Sequence, residues 1–121
     1  MTEESVKDFM KSYPQLKAKK DVMDRIEEFA PDENDQEEHA NLKIKLQIIE
    51  SALQVLTKDE RDIVMLHLIE NVKWTEIAAR YEEQLGTELN YSDRTFKRIQ
   101  KNALAKIEEF ITKNQFEKYI E

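Results

Sequence analysis

Helix breakers occur at only three places in this chain, Pro14, Pro31 and Gly86. The stretches between them are rich in Glu, Lys, Leu, Ile, Ala and Gln, residues with little helix penalty. No run of alternating β-branched residues bounded by turn signals competes with that pattern. The expected fold class is therefore all-α, a small helical bundle. With 121 residues the chain makes one domain, or one domain with an extension. Such a chain buries about 65% of its unfolded surface.

Apolar spacing places the helices between the breakers. Residues 5–12 predict a short helix with Val6, Phe9 and Met10 on one side. Pro14 fits the first turn of a second helix ending near Phe29, with Leu16, Val22, Met23, Ile26 and Phe29 inward. Pro31 and the polar run to His39 predict a flexible connector over 31–39. A third helix follows, its apolar positions being Leu42, Ile44, Leu46, Ile48, Ile49, Leu53 and Leu56. Thr57-Lys58-Asp59-Glu60 spells a capping box, and Asp59, Glu60 and Asp62 suit the positive end of a helix dipole. The helix over 58–70 turns Ile63, Val64, Leu66, His67 and Ile69 toward neighbours, and Asn71 suits a left-handed position just past its end. Residues 74–85 form the next helix, with Trp74, Ile77, Ala78, Tyr81 and Leu85 inward and Gly86 ending it. Residues 87–91 bridge to Ser92, which N-caps the last long helix. Trp74 reads as a packing anchor, and Tyr91 as a staple for the turn rather than a phosphate contact. The organisation expected is an acidic N-terminal helical region over 1–55, a second unit over 56–111 and a C-terminal helical tail over 112–121.

The last long helix has two opposed faces. From Arg94 to Lys106 there are five basic residues, Arg94, Lys97, Arg98, Lys101 and Lys106, and no acid. At ~100° per residue, Phe96, Ile99, Ala103, Ile107 and Phe110 share one side, and Arg94, Lys97, Arg98 and Lys101 the other. The chain as a whole carries −7, yet its charge is uneven. Residues 1–40 hold 12 acids and 6 bases, residues 41–90 hold 9 and 6, and residues 91–121 hold 5 and 7. A polyanion meeting this helix feels the charge within a Debye length of about 8 Å, not the total. One face to pack and one to meet phosphate is the layout of a recognition helix, although a basic face can also be merely solvated.

Other chemistry finds no support. The absence of Cys excludes disulfides and cysteine-ligated zinc and agrees with a reducing compartment. The N-terminal MTEESVKDFM lacks the basic and apolar regions of a signal peptide, and no segment nears the ~20 apolar residues of a membrane span. The expected location is the cytoplasm. Asp32, Asn34 and Gln36 alternate as in a calcium loop, but Glu37 stands where Gly is required and Lys43 where Glu is. His39 stands alone in the connector and His67 on a mostly apolar helix, where it reads as half-buried core. No nucleophile motif or phosphate-cradling loop occurs, so no enzyme, cofactor or metal is expected.

LTKDERDIVMLHLIENVKWTEIAARY resembles the promoter-reading region four of sigma factors. Leu56, Glu60, Arg61, Glu76, Ile77 and Ala78 match that pattern, while Thr57, Asn71 and Lys73 stand where it has Pro, Gly and Ser/Thr. The 14 residues from Ala78 to Ser92 exceed the family's usual spacing. That extension and the chain length are similar to the ArpU-type phage transcriptional regulators. The resemblance implies a helix-turn-helix over 56–111 and a sequence-specific DNA-binding regulator, an activator of phage or prophage late genes. Its candidate contacts to double-stranded DNA are Ser92, Arg94, Thr95, Lys97, Arg98 and Lys101. Arg94, Lys97 and Arg98 would lie nearest the bases and Lys101 on phosphate. The resemblance also implies contact with RNA polymerase core or a sigma factor. Two alternatives stay open: a small terminase subunit recognising packaging DNA, and a helical adaptor that binds polymerase without DNA.

Overall fold

The computed structural model describes residues 1–85 and 92–120. Among them the chain forms six α-helices and no strand: α1 (Glu3–Lys11), α2 (Tyr13–Phe29), α3 (Gln36–Gln54), α4 (Lys58–Ile63), α5 (Trp74–Leu85) and α6 (Asp93–Lys113). The protein is an all-α helical bundle. No helix of the described residues is long and apolar enough to cross a membrane. The side chain of Leu85, the stop at Gly86, the 87–91 bridge and Tyr91 lie outside the described residues.

Local chemistry starts each helix. Thr2 and Ser5 cap α1 reciprocally, each side chain accepting from the other's backbone N–H at 3.1 and 3.0 Å. Pro14 sits in the first turn of α2, where its missing N–H costs nothing. Asp35 caps α3, accepting from the N–H of Glu38 at 3.0 Å. The box expected at Thr57 and Glu60 is present, with Thr57 N–H donating to Glu60 Oε1 at 2.8 Å.

Two expectations for the first half need correction. Val22 and Phe29 do not point inward; they are 56% and 79% exposed. α2 lies on α3 by the side that carries Met23 and Leu16, and Val22 and Phe29 stand roughly 100° or more around the helix from Met23. The connector is also shorter than 31–39. A short 3-10 turn, Pro31–Glu33, precedes α3, whose first turns carry His39. His39 is only 2% exposed, with Nε2 2.7 Å from Asp24 Oδ1 and Nδ1 2.9 Å from Glu27 Oε2. Asn34 Nδ2 also lies 3.1 Å from Nδ1, but the two carboxylates sit on α2, where the local polar run does not show them. Lys19 and Glu38 pair across the same two helices.

α4 continues without a break into π-helical turns, Val64–Ile69. The bond from Glu70 N to Met65 O, at 2.8 Å, spans five residues instead of four. Ile63 and Val64 are buried and Leu66, His67 and Ile69 half-buried against neighbours, as expected, and Leu68, which the sequence did not single out, is buried with them. Asn71 takes the expected left-handed conformation with φ 58°, and Val72 N bonds back to Leu66 O at 2.8 Å. α6 closes similarly. Gln115 has φ 61°, and Phe116 N reaches Ile111 O at 2.9 Å. That return lays Phe116 edge-on to Phe110, with centroids 5.9 Å apart.

Two apolar clusters hold the bundle. The larger joins Val6, Phe9 and Met10 of α1, Ile48, Ile49, Ala52 and Leu53 of α3, Val64 and Leu68, and Ala103, Leu104, Ile107 and Ile111 of α6. It takes residues from both sides of position 55 and makes α6 a central strut. The smaller cluster, Ile63, Ile77 and Phe96, clamps α4, α5 and the start of α6.

Candidate nucleic-acid interface

The N-terminal half of α6 has one face fixed and one free. Phe96 is fully buried beneath Tyr81 and Trp74, with ring centroids 5.1 and 6.4 Å away. Trp74 also stacks on His67 at 3.7 Å, so it is the packing anchor expected from the sequence. His67 reaches Gln100 of α6, Nδ1 to Oε1, at 2.6 Å. Burial first, then the charges of Lys11, Lys7 and Lys97, hold the His67 imidazole below its ordinary value, with the Gln100 bond pulling the other way. Its neutral form therefore prevails at pH 7, and its Nδ1–H donates to the Gln100 carbonyl.

Ser92 caps α6, its hydroxyl accepting from the N–H of Thr95 at 3.3 Å and lying 3.2 Å from the Thr95 hydroxyl. These two candidate contacts thus engage each other at the helix start. Arg94, Lys97, Arg98 and Lys101 are all exposed on the outer face. Among the described residues no hydrogen bond or ion pair engages any of the four. The fifth basic residue is used differently. Lys106 Nζ lies 2.8 Å from Glu60 Oε1 and ties α6 to the start of α4. Burial raises the Glu60 carboxyl, but the bonds from Lys106 and Thr57 outweigh it and hold the group below the usual carboxylate range.

α1 adds what the sequence did not suggest. Lys7 and Lys11, one turn apart, stand close enough for their charges to act on the same imidazole as Lys97. They add positive charge near His67, on the helix that packs against α6. Only the packing of α1 on α6, far apart in sequence, brings them there. Chemically, the assembled face offers donors and positive charge with no acid between Arg94 and Lys101, a surface suited to phosphates and base edges. Comparison with protein-family models, curated proteins and solved structures gives no match.

Proposed function

We propose that the protein is a sequence-specific DNA-binding transcription regulator, with α5 and α6 acting as a helix-turn-helix. The observation that carries this is the row Arg94, Lys97, Arg98 and Lys101, exposed and with no hydrogen bond or ion pair among the described residues, on a helix whose opposite face is locked by Phe96. Rigid support matters because a base-reading helix must hold its side chains in register with the groove. Arg94, Lys97 and Arg98, nearest the capped end, address base edges, and Lys101 addresses phosphate. The resemblance to sigma region four and to ArpU-type regulators supports an activating role at phage or prophage late promoters.

Selection from a pool of randomised duplexes tests the reading directly. An enriched motif is expected with the parent protein and lost with Arg94→Ala. A pool that stays random, with binding insensitive to salt, overturns it.

A further inference from the structure

α2 turns outward a stripe that nothing among the described residues covers. Ala18, Val22, Arg25 and Phe29 follow at spacings of four, three and four residues, so they line one side of the helix, and all are exposed. Phe29 is the most exposed large apolar side chain among the described residues, and Val22 the next. The opposite side of α2 lies against α3.

Charged groups on α2 divide into two sets. Lys19, Lys20, Asp24 and Glu27 are consumed within the protomer, paired with Glu38, with each other or with His39. Lys17, Asp21, Arg25 and Glu28 on the outward side have no ion pair among the described residues, Lys17 standing 5.8 Å over the Tyr13 ring. Their signs run plus, minus, plus, minus along the helix. Reversing the helix direction gives minus, plus, minus, plus, so an antiparallel copy offers opposite charge at every position. A parallel copy in register sets like against like.

We propose that this face binds a second copy of the chain, α2 packing antiparallel on α2 about a twofold axis between Val22 and Arg25. Lys17 then meets the partner subunit's Glu28, and Asp21 meets the partner subunit's Arg25, each pair occurring twice. Phe29 seats over the partner's Ala18, whose small side chain leaves the room a bulky ring needs. Seventeen residues of α2 at about 1.5 Å each give a contact about 25 Å long. That is small for a stable interface, so the dimer is reversible and its dissociation constant lies in the micromolar range.

Sedimentation of the full chain from about 1 μM to 1 mM tests this. The parent passes from monomer to dimer, and Phe29→Glu stays monomeric with unchanged thermal unfolding, since the side chain is exposed. Two charge variants supply an independent test. Lys17→Glu with Arg25→Glu makes the face negative, and Asp21→Lys with Glu28→Lys makes it positive. Each alone is monomeric, and an equimolar mixture dimerises. A parent monomeric throughout overturns the proposal, whether the stripe is then bare or taken by a different protein. So does a dimer that survives Phe29→Glu, or charge variants that fail to recombine.

Discussion

Phe96 and Arg94 sit two positions apart on α6 and do opposite work. Phe96→Ala empties a fully buried ring site between Tyr81 and Trp74 and is expected to cost about 3–5 kcal/mol of stability, read by chemical denaturation. Arg94→Ala removes an exposed side chain with no partner among the described residues. It should move stability by about 0.5 kcal/mol or less, yet weaken a selected DNA site by about 1–3 kcal/mol. Equal loss of both properties in both variants would dissolve the division of faces. That division was legible from helical periodicity alone, because a 3.6-residue repeat separates Phe96 from Arg94 whatever surrounds them. Lys106 was not, since its acceptor Glu60 lies 46 positions away. His67 adds a pH dependence. Its pKa is lowered in the folded state, so the unfolded chain binds the proton more readily and its contribution to stability is present above the ordinary value of about 6.5. It is lost as pH falls through the folded value. Denaturation midpoints should therefore drop from pH 7 toward pH 5 more steeply in the parent than in His67→Phe. Parallel curves would show that His67 does not carry this term.

The start of α4 is where local signal and tertiary contact meet. Thr57 and Glu60 were legible as a cap because the box needs only a four-residue pattern, and Asn71 was legible at the other end because it tolerates positive φ. The π-helical turns between them were not. They lie where Val64 and Leu68 join the larger cluster, and no short motif in VMLHLI announces them. His39 and the stripe on α2 escaped for a related reason. Hydrophobic spacing identifies an apolar side chain, not the neighbour that covers it, and a polar run can still supply a buried side chain with hydrogen-bond partners. Glu60 allows a test of the cap. Its pKa is depressed in the folded state, so its contribution is complete above the unfolded value near 4.5 and disappears as pH falls through the folded one. Glu60→Ala should cost about 1–2 kcal/mol at pH 7 and progressively less below pH 4. A cost that does not change with pH would show that the carboxylate charge, and hence Lys106, contributes nothing.

For the whole molecule, the uneven distribution of charge decides what DNA binding looks like. A chain of net −7 has no general attraction to a polyanion, so affinity must come from the local basic face of α6. A cation seated in the groove displaces counterions whether it ends on a base edge or a phosphate, so Arg94, Lys97, Arg98 and Lys101 of one protomer give a slope of log affinity against log salt of about −3.6. If α2 pairs two protomers about a twofold axis, two copies of that face act together. The slope on an inverted repeat then approaches about −7, while a duplex with one half-site keeps the shallower value. The two proposals separate cleanly here. Phe29→Glu should return the inverted repeat to the single-protomer slope without abolishing binding, because Phe29 belongs to α2 and the basic row to α6. Lys101→Ala should reduce the slope by about one unit per protomer on any duplex. A parent slope near −3.6 on both duplexes retains the DNA reading and removes the dimer from it. A slope near zero on both removes the DNA reading and leaves the α2 pairing to stand on sedimentation alone.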